Sequence, residues 1–390
     1  MSEVVMTKAS GASVVIVGGG VTGLSAGWWL AQAGVDVVVI EKGAVGWEAS
    51  GRNGGGCGHT RSPLFPEMQR LWPIMDELLG YPTEFAANRI LVAMTEEQLA
   101  LYDRSDIAER HGYRCELLDR KQLRELVPLV GDNAIGGYFY HFGGHANPHR
   151  TVHAYALSMQ DHGGRLVQQC AVTGFRTKGE RVVAVETERG LVSCDQLVLA
   201  AGPHTGRLSA MLGEEVPMAS ARAEMIVTEP LPLMAYGGVD GNGLYGRQTL
   251  RGNLAYGGGP HEWLELPVQG APAKPSTPLM GHIGRRLMEM LPKAAHARII
   301  RSWAGVIENT PDGRPVIDRL STFPNVIVAT MSSVGFGLSP SSGRAIRDLV
   351  VDGACSFANI SSFSLARFAK LESNWRELQG WVALAKKEAP

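Results

Sequence analysis

The pattern of the chain becomes readable at Val14-Val15-Ile16-Val17, an uninterrupted β-branched run of the kind a strand covered on both faces requires. Gly18-Gly19-Gly20-Val21-Thr22-Gly23 follows at once. Leu24 to Ala33 then reads as an apolar helix closed by Gly34, and Val35 to Ile40 as a second strand ending at Glu41. Further on, Arg165 to Cys170, Val182 to Thr187, Ala221 to Thr228 and Gly252 to Gly258 are strand-like, while Gly281 to Met290 has the spacing of a helix. Ser339 suits a helix N-cap, Pro340 the first helical position, and Arg344 to Val351 the continuation. Pro267 to Pro278 reads as a surface loop, and Leu365 to Lys387 as an amphipathic helix packed on the core. No internal repeat is visible.

Val14 to Val35 carries no charge and would span a bilayer if helical throughout, but Gly18, Gly19, Gly20, Gly23, Gly27 and Gly34 break it. Met1 to Ser13 lacks the basic and apolar regions of a secretory signal. The 390 residues, 45% of them hydrophobic, can bury more than one core, so two domains are expected. With 37 basic and 38 acidic residues there is no bulk charge for a nucleic acid or an anionic membrane. Cys57, Cys115, Cys170, Cys194 and Cys355 show neither zinc nor iron–sulfur spacing, which fits reduced thiols in the cytoplasm and no metal.

In the order strand, glycine turn, helix, strand, acid, each part has a task. Gly18 makes the turn, Gly20 lets backbone N–H groups near Val21 approach a pyrophosphate, and Gly23 lets the helix pack closely on the strand. The positive helix end faces the phosphates. Glu41, beside Lys42, stands about 20 residues past the first glycine, where a carboxylate accepts from a ribose 2′-OH and repels a 2′-phosphate. NADP is thereby disfavoured, and FAD and NAD both remain open on this motif.

The segment Ala49-Ser50-Gly51-Arg52-Asn53-Gly54-Gly55 resembles the S-x-R-N-x-G element of the D-amino-acid oxidase, glycine oxidase and sarcosine oxidase superfamily. Three more blocks match in order. Asp195 to Gly202 resembles a strand ending in A-A-G, Trp303 to Ile317 a W-x-G…T-P-D block, and Ser333 to Gly343 the closing flavin loop. The resemblance implies an α/β protein: a Rossmann-like FAD-binding domain of the glutathione-reductase-2 type, with a second α+β substrate domain built on an antiparallel sheet. By that likeness 12–84, 148–216 and 301–362 form a discontinuous FAD-binding domain, 85–147 and 217–300 the substrate domain, and 363–390 a C-terminal helix.

The cofactor implied is FAD. Its contacts would include Ser50, Arg52, Asn53, Gly54 and Gly55, Val172 at the adenine end, Ala201 and Gly202, and Gly335, Phe336, Gly337, Leu338 and Ser339 near the ring. Gly305 stands where some sarcosine oxidases attach flavin through cysteine, so the FAD is expected to be non-covalent.

The activity implied is oxidation of the C–N bond of a small amino acid or secondary amine by hydride transfer to the flavin. Tyr245 and Arg247, two apart and on one face if in a strand, could hold a carboxylate, or form an ordinary solvated surface. His59 could meet the substrate amine or be structural, and Glu308 is a further candidate; Asp312 suits tying its own T-P-D-G turn. Ile307 replaces an arginine that holds the carboxylate in many relatives. That departure, with Gly143-Gly144-His145-Ala146-Asn147-Pro148, looks more like β subunits of heteromeric sarcosine oxidases, opine dehydrogenases and proline or hydroxyproline dehydrogenases. In those complexes partner subunits carry iron–sulfur or other redox centres, and any contact with the inner membrane would run through them. A stand-alone oxidase releasing H2O2 and a non-catalytic flavin-binding assembly protein are the alternatives.

Overall fold

The computed structural model describes residues 11–266 and 274–383. An eight-stranded sheet runs in the order Val316–Arg319, Val326–Thr330, Gly190–Leu199, Gly11–Val17, Val37–Ile40, Arg165–Val167, with the hairpin Val172–Lys178 and Arg181–Thr187 attached to Gly190–Leu199. Its centre is parallel: Val14 to Val17 pair with Val37 to Ile40 on one side and Gln196 to Leu199 on the other.

Alternation assigns the two faces of these strands. Val14, Ile16, Val37 and Val39 enter one core with Leu24 and Trp28 of the helix Val21–Gln32, while Val15, Val17, Val38 and Ile40 enter another. Burial on both faces explains the lack of polar interruptions, each such side chain contributing about 1.5–3 kcal/mol.

The first helix starts at Val21, three residues before the position expected from hydrophobicity, because Gly20 in extended conformation serves as its N-cap. A larger correction concerns the last helix, which runs Gly335–Val351 and holds Pro340 in its interior. Ser339 is therefore not its cap. Close packing on Val21–Gln32 accounts for this: Ser25 Oγ donates to the Ser339 carbonyl at 2.7 Å, and the Trp29 indole donates to the Pro340 carbonyl at 2.9 Å. Gly343 sits against Ser25, where any Cβ would overlap it.

A nine-stranded sheet lies beside the first, in the order Glu262–Leu264, Ala219–Pro230, Asn253–Gly258, Leu244–Gln248, Val239–Gly241, Ala86–Ala93, Gly136–His145, Cys115–Leu118, with Ile299–Asn309 also paired to Ala219–Pro230. Family likeness puts most of Ile299–Asn309 in the nucleotide-binding part, yet this strand is hydrogen-bonded along the second sheet from Ala219↔Asn309 to Thr228↔Ile299. The helix Thr277–Met290 covers this sheet through Ile283, Leu287 and Met290.

The expected C-terminal helix is corrected as well. Leu365–Phe368 is a 3-10 turn and Trp375–Leu378 a short helix, tied to the body by Arg367 on Asp312 and Arg376 on the Met218 carbonyl. These side-chain ties replace a continuous apolar stripe. Of the expected proline-rich loop, 267–273 lies outside the described residues and Pro278 falls in the first turn of Thr277–Met290. The N-terminal segment 1–10 and residues 384–390 are also outside them.

Candidate active site

A cavity of about 640 Å3 opens at the C-terminal ends of the parallel strands, where Gly18, Gly20, Val21, Thr22, Glu41, Lys42 and Ser50 line one end. Gly18 has φ +116°, and a Cβ there would overlap the Ala200 carbonyl. A Cβ at Gly23 would overlap the Gly18 carbonyl, so this glycine brings helix and strand together. The helix start has no side-chain cap of its own; Val21 N–H donates to Ser50 Oγ at 3.0 Å, and the first-turn N–H groups face the cavity. Glu41 is fixed by Gly19 N–H and Gly43 N–H, each at 2.7 Å. An uncapped helix start, a bare glycine turn and a carboxylate held past the second strand fit the diphosphate and ribose of a dinucleotide.

Val172, Ala201 and Gly202 line the same cavity, as do Gly335 and Phe336. Lys42 Nζ lies 2.7 Å from His204 Nε2, and burial, then Lys42, push the His204 pKa down to about 4. Leu338 and Ser339 are wholly buried in the interior, because the helix begins earlier than expected, and neither lines the cavity. Gly337 instead gives its carbonyl to the Trp72 indole at 2.7 Å. Their place is taken by Thr330, Met331 and Ser333, of which sequence reasoning missed the first two and gave the third no role. Ser332 and Ser333 have φ of 46° and 67°, a left-handed conformation costing about 1–3 kcal/mol per residue and common where backbone must present itself to a ligand.

A second pocket of about 300 Å3 adjoins the first. Ala49, Asn53, Ile307, Ser333 and Phe336 line both, so these residues form the shared boundary. Asn53 braces the glycine loop by donating to the Ala49 and Ser50 carbonyls and accepting Gly55 N–H at 2.8 Å. Arg52 donates to the Ala304 carbonyl at 2.7 Å and lies over the Trp47 ring. Gly54 and Gly55 pass beneath Tyr245 and Ala146, too close for side chains.

Tyr245 and His59 both line this pocket. Burial pushes the Tyr245 phenol up to about 12 and the His59 imidazole down to about 4, so both are uncharged near neutral pH. Arg247 does not line it; its Nη1 donates to the Gly54 carbonyl at 2.7 Å, fixing the loop. Burial pushes its pKa down to about 10. Glu308 is also displaced from its expected role: it lines the large cavity, and its Oε1 accepts from Thr330 Oγ1 at 3.1 Å and Met331 N–H at 3.2 Å. Burial raises its carboxyl pKa. Asp312 does tie its turn, accepting from Thr310 Oγ1 and Arg314 N–H.

Sequence reasoning did not single out Arg89, Asp240 and His261, which also line the pocket, and treated His145 only as part of a matching segment. Arg89 pairs with Asp240, and His145 Nε2 stands 3.8 Å from Asp240 Oδ2. Burial alone would raise Asp240, but Arg89 and His145 outweigh it and hold the carboxyl well below its usual range. Asp240 lies in Gly238-Val239-Asp240-Gly241-Asn242-Gly243, which carries only a turn signal. The strand position of Arg89 was the one available hint.

A dinucleotide cavity on a parallel sheet, joined to a small pocket over an antiparallel sheet, defines a two-sheet flavoenzyme of the oxidoreductase class. Residues 13–349 match the model of the DAO family, FAD dependent oxidoreductase, and the chain belongs to that family. It is 30% identical over 373 residues to the beta subunit of a sarcosine oxidase from Rhizobium meliloti (strain 1021), covering 92% of this chain and 88% of the relative. The small-lettered likeness extends to an opine oxidase of Rhizobium meliloti, whose B component is 26% identical over 384 residues, covering 91% and 97%. The crystal structure of L-proline dehydrogenase from P. horikoshii superposes with a TM-score of 0.83 at 22% identity, over 92% and 98% of the two chains, which shows the shared fold. The protein is thus an FAD-dependent oxidoreductase, and no helix among the described residues is long and apolar enough to cross a membrane.

Proposed function

We propose that this chain oxidises the C–N bond of a small amino acid or secondary amine, as the catalytic β subunit of a heteromeric dehydrogenase. Proline, hydroxyproline, sarcosine-like, D-amino-acid and opine substrates all belong to the class considered. The observation that carries the reading is the small pocket set directly against the dinucleotide cavity, with Ala49, Asn53, Ile307, Ser333 and Phe336 common to both.

Bound FAD supplies the acceptor for the hydride lost from the carbon beside nitrogen, leaving an imine that water hydrolyses. The chain's own residues bind and orient. Tyr245 offers a hydroxyl with no protein partner among the described residues, and His59 offers an imidazole kept neutral by burial. A neutral ring can accept the amine proton, and the substrate must have lost that proton before its lone pair is free. Gly305 leaves no thiol on its strand for a flavin linkage, which supports non-covalent FAD.

The heteromeric assignment is supported by the names of the sarcosine and opine oxidase relatives, both components of larger enzymes, and by their coverage over nearly the whole chain. Partner subunits would then carry the onward redox centres. The test is anaerobic bleaching of the bound flavin with a panel of D- and L-amino acids, proline derivatives, N-methylated amino acids and opines. Absence of bleaching by every member overturns the enzymatic reading in favour of a flavin-binding assembly protein. Bleaching followed by rapid peroxide release from the isolated chain in air replaces the heteromeric reading with a self-sufficient oxidase, whereas dye reduction without peroxide supports it.

A further inference from the structure

The small pocket contains a guanidinium with one free end. Arg89, on the strand Ala86–Ala93, directs Nε and Nη2 to Asp240 Oδ2, with Nε at 3.0 Å. Asp240 is held in turn by Gly246 N–H on Oδ1 at 2.8 Å. Among the described residues, Arg89 Nη1 has no acceptor. It lies against Gly58, where a side chain would overlap it, and both residues line the pocket. The Arg89 side chain is only 18% exposed, so water satisfies this donor poorly.

Charge points the same way. The pocket's ionised lining consists of Arg52, Arg89 and Asp240, one positive charge in excess. The remaining polar groups include His59, His145 and His261, all with pKa values lowered chiefly by burial. An amino acid whose amine has lost its proton carries one negative charge, which the excess balances. Ile307, on the strand Ile299–Asn309, offers no cation at the opposite wall.

We propose that Arg89 Nη1 is the anchor for the substrate carboxylate, with Asp240 as the positioning residue that fixes the guanidinium. The substrate class is then a monocarboxylic amino acid, in preference to a dicarboxylic opine, whose second carboxylate would leave the pocket with net negative charge, or a polyamine, which brings positive charge. A guanidinium already clamped on one edge loses little side-chain freedom when its other edge meets a carboxylate. This inference rests on the amino-acid reading above and is separable from it by experiment.

The probes are cyclopentanecarboxylate and cyclopentanecarboxamide, which match in shape, differ in charge and carry no amine to oxidise. Each is titrated calorimetrically into FAD-loaded protein, with flavin absorbance and thermal melting as checks of fold. Wild type should bind the carboxylate at least about tenfold tighter than the carboxamide, as a charge-assisted contact implies. Removing both members of the ion pair in Arg89→Met/Asp240→Asn avoids stranding a buried charge and should shrink the gap below about threefold. Arg89→Lys, which retains a cation beside Asp240, should narrow it partially.

Equal binding of the two probes by wild type overturns the proposal, and so does a gap that persists in both folded variants. Either result leaves the proposed function standing if the amino-acid panel bleaches the flavin. Failure of the panel removes the proposed function whatever the titrations give. Among panel members, a dicarboxylic opine reducing the flavin with higher kcat/KM than every monocarboxylic amino acid also sinks the substrate class.

Discussion

At the phosphate end of the large cavity the wall is mostly backbone: the turn at Gly18, the uncapped start of Val21–Gln32, and the carbonyl of Ala200 pressed against the turn. The small pocket is walled by side chains drawn from distant strands, with Arg89, His145, Asp240 and Tyr245 on four different strands of the second sheet. Backbone walls depend on where side chains are missing and leave a sequence signature of glycines. Side-chain walls depend on which residues tertiary structure brings together. The first construction suits a cofactor common to a whole family, and the second lets substrates change while the cofactor stays.

The sharpest way to break this contrast is Gly18→Val. A side chain at φ +116° that also meets the Ala200 carbonyl should weaken FAD binding about 100-fold, corresponding to roughly 3 kcal/mol, so the protein purifies colourless. Wild-type flavin stoichiometry would show that backbone closeness does not govern the large cavity.

Asp240→Asn should act in the other region. Leaving Arg89 buried without its carboxylate should cost ~3–5 kcal/mol in denaturant unfolding, while FAD affinity of the folded protein changes by less than about twofold. A large fall in FAD affinity with stability intact would reverse the assignment of the two walls.

His59→Gln probes pH. The folded protein keeps His59 neutral down to about pH 4, whereas the unfolded chain takes up a proton near pH 6.5, so stability falls as pH drops through that window. The slope approaches ~1.4 kcal/mol per pH unit for one group, and the variant should lose that share of it. An unchanged stability–pH curve would mean that His59 is solvated.

Tyr245→Phe should have the smallest effect. Removing one hydroxyl from the pocket should lower kcat/KM roughly fivefold and leave the FAD dissociation constant unchanged, as loss of one neutral hydrogen bond of about 1 kcal/mol implies. Steady-state kinetics equal to wild type would take the phenol out of substrate contact.

Legibility in the sequence follows the same division. The first strand, the glycine turn and Glu41 were readable because each is a local device with a fixed spacing. The boundary at Ser339-Pro340 was not, since a good capping sequence is overridden by tight packing of Gly335–Val351 against Ser25 and Trp29. Glu308 and Arg247 do lie beside the two cavities but point elsewhere than expected, as one face of a strand cannot be matched to a cavity before its neighbours are known. The ion pair of Arg89 with Asp240 joins residues 151 positions apart, and no local pattern announces it.

The large cavity is closed by residues near both ends of the chain, from Gly18 to Phe336. During synthesis the ribosome therefore releases the glycine turn long before the last wall exists, and tight FAD capture has to wait for the segment around Ser333. The nascent protein must pass through a stage with its nucleotide groove open, and cellular flavin supply bears on how many molecules complete that passage.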